Sequence, residues 1–180
     1  VAYFGRGVAH AELGNYQKAV SDVGRAIELN PRDAVAYFIR GMAHTRLGNY
    51  PMAIKDCGRA IELNPRYEEA YYHRGIAYLR MNDYQAAVKD FSRAVELNPR
   101  YADAYLQRSA AYGKLGDDRR AIADSEMAGR LKAQSATEGG EANAGPAGTD
   151  SGLKLASDTI EFSAWSLMDQ KRQKRVMEPA

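Results

Sequence analysis

Eight residues, RAIELNPR, begin at Arg25 and return unchanged at Arg59; at Arg93 they appear again as RAVELNPR, each copy 34 residues after the last. A fixed period of this length points to a stacked repeat, because each supersecondary unit leaves an apolar face that only a neighbouring copy can bury. Rows of 34 residues bring whole columns into agreement. Tyr3, Tyr37, Tyr71 and Tyr105 share one column, and Arg6, Arg40, Arg74 and Arg108 another. The arginines are followed by Gly7, Gly41, Gly75 and, in the fourth row, Ser109. Ala19, Ala53, Ala87 and Ala121 align, as do Ala26, Ala60, Ala94 and Ala128. Pro31, Pro65 and Pro99 close the first three rows, and Ala133 stands in that place in the fourth.

Each row reads as two helices. Apolar residues from Val35 to Leu47 recur at three- and four-residue spacing, which predicts a helix with one buried face. In LGNY, Gly48 suits a helix end and Asn49 the cap of the next helix, with Pro51 in its first turn, where a missing N–H costs little. That second helix is expected to reach about Leu63, where NPR stops it, since a residue before proline resists the helical conformation. Gly41, Ala53 and Ala60 are small enough to let the paired helices approach closely.

These columns resemble the tetratricopeptide repeat, a helix–turn–helix unit with a pattern of aromatic, Leu-Gly, aromatic, Ala, aromatic, Ala and Pro. Here Tyr replaces the leading Trp, and Arg precedes the glycine. The resemblance covers about residues 1–132, as units of about 1–33, 34–67, 68–101 and 102–132. It implies an all-α protein: a right-handed α-solenoid of four such units, about eight helices. In the fourth row Ser125 stands where Val23, Cys57 and Phe91 stood, and Gly129 where Ile27, Ile61 and Val95 stood. A more polar outer face is what the last unit of a solenoid needs for solubility.

The Arg column is matched by Asp22, Asp56, Asp90 and Asp124. Four arginines with four aspartates are expected to form ion pairs of the framework rather than a ladder for anions, because such charges are seldom buried unpaired. His10 and His44 share a column with Tyr78 and Tyr112, a packing slot for an amphipathic ring. Cys57 shares its column with Val23 and Phe91, so it is expected to be a small buried hydrophobe. No ligand spacing suggests a metal, no cofactor is implied, and no phosphate loop, HExxH or GxSxG motif is present, so an enzyme is not expected.

What remains is surface. In the family that these columns resemble, the first helix of each unit lines a concave groove that commonly holds a peptide or partner segment. Carried over, the groove floor is Phe4, Phe38, Tyr72 and Leu106, with Val8, Met42, Ile76 and Ala110 one turn on. The following turn presents Glu12, Arg46, Arg80 and Lys114, a mostly basic edge. Aromatic residues, Met and Arg are enriched at interface centres, and packing between units is the alternative role for the same side chains. One subset of the family grips chaperone C-terminal carboxylates with Lys, Asn and Arg. At those columns this chain has Gly5, Ile39, His73 and Gln107, with Val1, Val35, Glu69 and Asp103 where lysine is expected, so a chaperone carboxylate tail is not the expected partner.

Residues 133–156 are Gly-, Ala- and polar-rich and read as a flexible linker. Residues 157–176 regain helical pattern: Asp158 and Glu161 suit a capping box, Ile160, Ala164, Leu167 and Met168 share a face, and a basic run closes the segment at Lys171–Arg175. Residues 177–180 are a short tail. Docking of this helix on its own array ranks first, the groove second, and a membrane or nucleic acid third.

The net charge of +2 argues for neither a nucleic-acid nor a membrane partner. One cysteine requires no oxidising compartment, so cytoplasmic is the location expected. The helical pattern is already under way at Val1, as in a fragment whose preceding part carried any targeting signal. The function expected is a non-catalytic scaffold holding a protein or peptide segment in the groove. The alternative is a self-assembly module, a homo-oligomer in which the C-terminal helix docks on its own or a neighbouring array.

Overall fold

The computed structural model describes residues 2–140. They form eight helices: α1 (Ala2–Glu12), α2 (Tyr16–Leu29), α3 (Ala34–Arg46), α4 (Tyr50–Leu63), α5 (Glu68–Arg80), α6 (Tyr84–Leu97), α7 (Ala102–Lys114) and α8 (Asp118–Gly140). No strand occurs among the described residues. Each odd helix packs on the even helix that follows, and each even helix on the next odd one, which builds a helix–turn–helix solenoid. The odd helices also touch one another in succession, α1 on α3, α3 on α5 and α5 on α7. They therefore share one wall. The segment read as a C-terminal helix, 157–176, lies outside the described residues.

The turns explain the repeated letters. Gly14, Gly48 and Gly116 take φ of 73°, 75° and 77°, the left-handed conformation that ends a helix. In the third unit Asn82 does the same at 61°. The next residue closes each turn with its N–H, Asn49 to the His44 carbonyl at 2.9 Å and Asp83 to that of Tyr78 at 3.0 Å. Asn49 stands at the N-cap of α4, but its side chain makes no capping bond, contrary to the sequence expectation. Side-chain capping falls instead to aspartates: Asp33 accepts from Val35 and Ala36, Asp83 from Ala86, and Asp117 from Arg120. Within NPR, the asparagine oxygen accepts the backbone N–H two residues on, at 3.4 Å for Asn30, 3.2 Å for Asn64 and 3.1 Å for Asn98. This Asx turn carries the chain over each proline into the next unit.

The core is built from small side chains. Ala19, Ala53 and Ala87 on the even helices are fully covered, as are Ala43, Ala77 and Ala111 on the odd ones. Between them sit Val23, Cys57 and Phe91, each opposite a glycine of its own unit. A Cβ added at Gly7, Gly41 or Gly75 would lie 2.6 Å from Val23, 2.8 Å from Cys57 or 2.7 Å from Phe91. In the fourth unit both partners are serines, and Ser109 donates to the Ala121 carbonyl at 2.7 Å. α8 continues to Gly140, past residue 132 and into the stretch read as linker. Residues 133–138, AQSATE, contain no helix breaker, so nothing stops the helix before Gly139 and Gly140.

Candidate functional site

The arginine column is fully engaged. Arg6, Arg40, Arg74 and Arg108 each donate through Nε and Nη2 to both carboxylate oxygens of Asp22, Asp56, Asp90 and Asp124, at 2.6–2.8 Å. Each guanidinium also lies over the tyrosine three residues before it, 5.3–5.7 Å from the ring centre at Tyr37, Tyr71 and Tyr105 and 5.4 Å at Tyr3. Arg108 reaches back across the unit boundary, donating from Nη1 to Ser92 Oγ at 3.1 Å. Bidentate geometry of this kind is the strong form of an ion pair. The ladder is structural: it ties the odd helix of each unit to its even helix. A cleft of about 470 Å³ beside Arg74 is lined by the paired Arg74 and Asp90 and by Arg93 bonded to Glu96, with Ile61, Tyr71, Lys89 and Ser92.

Burial shifts several other titratable groups. Burial pushes the Cys57 thiol up to about 12, which leaves it protonated and inert. Burial lowers His44, whose Nε2 lies 3.8 Å from Asp56 and whose buried Nδ1 has no hydrogen-bond partner. His73, largely buried between the rings of Phe38 at 5.3 Å and Tyr72 at 5.2 Å, is pushed down to about 4, by burial first and by the charge of Arg46 second. Burial raises Glu69. Among the described residues no group of His, Cys, Asp and Glu could hold a metal ion.

The low His73 value has a stability consequence. The folded state keeps the ring neutral down to about pH 4, while the unfolded chain takes up a proton near the ordinary value of 6.5. Stability is therefore complete above about pH 6.5 and is lost as pH falls from there towards 4. Between pH 7 and 5 the loss from this residue is about 2 kcal/mol. Urea titrations at the two pH values should show the midpoint falling in the native protein and falling much less in His73→Gln.

The inner wall differs from the sequence expectation in its floor. Phe38, Met42 and Tyr72 are only 5%, 7% and 8% exposed. Phe38 packs on Tyr67, with ring centres 4.9 Å apart, and Tyr72 packs on Tyr101 at 4.9 Å and Phe91 at 5.9 Å. The second aromatic column is thus used to join units. Tyr67 and Tyr101, two residues after the repeat proline, were the missed partners; the change from NPRD to NPRY was the signal. Asp33 and Ser135 hold that column in the neighbouring rows; Phe4 is half-buried and Leu106 is 41% exposed. Ile76 is half-buried, and Arg46, Arg80 and Lys114 are exposed. At the neighbouring columns, Ile39 is buried and Asp103 accepts from Lys132 Nζ at 2.9 Å.

The basic edge has a consistent register. Arg46, Arg80 and Lys114 are the last residues of α3, α5 and α7. Cations favour helix C-termini generally. Yet α2, α4 and α6 carry none in their last turns, so the bias belongs to α3, α5 and α7 of the inner wall, while α1 ends on Glu12.

Three stretches of the chain, residues 1–33, 34–67 and 68–101, match the family model of the tetratricopeptide repeat. No curated protein matches. Among solved structures, a crystal structure of MamA is 25% identical, covers 75% of this chain and 79% of its own, and superposes with a TM-score of 0.72. The first such domain of Spaghetti (RPAP3), bound to the HSP90 peptide SRMEEVD, is 27% identical over 64% of this chain and 91% of its own, with a TM-score of 0.63. The corresponding domain of Arabidopsis OM64 is 28% identical over 62% and 93%, with a TM-score of 0.61.

Proposed function

This chain belongs to the tetratricopeptide repeat family, and on that premise we propose that its inner wall holds a segment of a protein partner. Arrays of this family serve generally as protein-interaction scaffolds. The observation that carries the finer reading is the row of exposed cations ending α3, α5 and α7, confined to the helices that share the inner wall. Beside it Leu106 offers exposed apolar surface, with Ile76 and Phe4 half-covered. A partner with acidic residues and an apolar anchor is complementary to that strip.

Phe38 and Tyr72 support the wall from within, and replacing them would unfold it rather than test it. The informative variant is Leu106→Glu with Lys114→Glu, both on the exposed surface. Proteins captured from extract of the source organism by the native chain should be lost by this variant and kept by Lys55→Glu with Lys89→Glu on α4 and α6. Equal capture by all three would remove the inner wall from the function.

The HSP90 peptide seen on the similar RPAP3 domain is not carried over to this chain. Glu69 and Asp103 stand at the columns where a carboxylate-gripping member would place lysines, and Asp103 is already bonded to Lys132. The self-assembly alternative calls on residues 157–176, which lie outside the described residues.

A further inference from the structure

Two of the chain's three histidines bear on one helix, and that helix has no acid of its own. We propose that α3 is an acid-released element: in mild acid it parts from α4 and α5, while the units that carry tyrosine in place of its histidine stay packed. α3 holds Arg40, His44 and Arg46 but no aspartate or glutamate among its 13 residues. Every other odd helix holds at least one: Glu12 on α1, Glu68 and Glu69 on α5, Asp103 on α7.

His44 stands in the last turn of α3 and is 8% exposed. Its Nε2 lies 3.8 Å from an oxygen of Asp56 on α4, a carboxylate that already accepts two bonds from Arg40. Its Nδ1 is buried with no hydrogen-bond partner. A protonated ring carries a proton on both nitrogens, so it would place a buried N–H there with nothing to accept it. Burial weighs most against the charged form and Arg40 adds to it, while Asp56 works the other way. His73 comes to α3 from α5. Its ring meets Phe38 of α3 at 5.3 Å, and the charge that acts on it is that of Arg46, also on α3. Of the acids on α5 and α7, Glu69, four residues earlier, is itself raised by burial, and Asp103 is bonded to Lys132. Protonation at both sites therefore sets two new cations against the arginines of α3.

Both rings favour the neutral form in the folded state. The packing of α3 is thus intact above the ordinary histidine value of 6.5 and weakens as pH falls below it. Units three and four lack the device: Tyr78 and Tyr112 take the place of His44, and in unit four Gln107 takes that of His73. A solenoid unit touches only its neighbours, so one helix can open without the whole array unfolding. α3 belongs to the inner wall, so the wall is what opens, with or without a partner on it.

The test is hydrogen exchange of the full chain, followed by mass spectrometry at pH 7 and pH 5 and corrected for the intrinsic pH dependence of exchange. Protection of α3 should fall by at least about tenfold between the two, and that of α6 and α7 by less than about twofold. His44→Tyr with His73→Gln installs the residues of unit four at both places. In that variant α3 should be as protected at pH 5 as at pH 7. A tyrosine too large for its site would lower protection already at pH 7; His44→Gln with His73→Gln then serves in the same comparison. An equal loss in every helix would overturn the proposal, as would an α3 that keeps its protection at pH 5 in the native protein. A loss in α3 that persists in the double variant would overturn it too, because the aspartate ladder and not the histidines would then be the acid-sensitive part.

Discussion

Asp56→Ala is expected to destabilise the array by about 3 kcal/mol, the range for removing one partner of a buried ion pair. Asp56 is 1% exposed and receives two bonds from Arg40, whose side chain is 22% exposed. Deleting the carboxylate leaves a guanidinium that stays charged at any working pH and has lost both acceptors. The partial exposure of Arg40 holds the cost near the lower end of the range. The first unit supplies an internal control, because Arg6 is 60% exposed and its guanidinium keeps contact with water. Asp22→Ala should cost a fraction of what Asp56→Ala does. Replacing both charges together, Arg40→Met with Asp56→Leu, should cost less than Asp56→Ala alone, since no orphaned charge remains. Urea denaturation of the four proteins checks the order. A larger loss for Asp22→Ala than for Asp56→Ala would show that the ladder does not work through desolvation.

Phe91→Ala is expected to cost about 3–5 kcal/mol, the usual loss for emptying a phenylalanine site in a packed core. Phe91 is fully covered, and its ring lies against Gly75 and Tyr72. The opposite error, Gly75→Ala, places a methyl carbon 2.7–3.0 Å from three ring atoms and should cost about 1–3 kcal/mol through overpacking. The two changes are coupled. With the ring gone, the added methyl falls into the space it left, so the double variant should be more stable than the sum of the single losses predicts by about 1 kcal/mol. Strict additivity in the denaturation energies would mean that the glycine column exists for some reason other than close approach. The fourth unit already shows the relaxed solution, with Ser109 opposite a small Ser125.

The inner wall shows where reading a sequence by columns succeeds and where it stops. Periodicity reports that Phe38 and Tyr72 sit on the face shared by the odd helices, because it reports angle around a helix axis. It does not report what arrives from the next unit. Tyr67 and Tyr101 come in from the turns and cover both rings, at 4.9 Å in each case. Residues with the same angular position thus end with different fates: Leu106 is 41% exposed, and the column that holds Tyr67 and Tyr101 holds Ser135 after it. The charged columns were easier to read. Opposite charges recurring once per unit must find one another if either is to be buried, and the four bidentate pairs follow.

By itself the sequence determined the unit, its length, its two helices, its turns and the pairing of Arg with Asp. Each of these is a local or strictly periodic property: a proline stops a helix, a glycine admits positive φ, and a repeated apolar face demands a repeated neighbour. The tertiary structure alone decided which inner-wall side chains remain exposed. That outcome depends on residues distant in the chain competing for the same surface, and it left three helix-terminal cations and Leu106 facing outward while closing the aromatic floor beneath them.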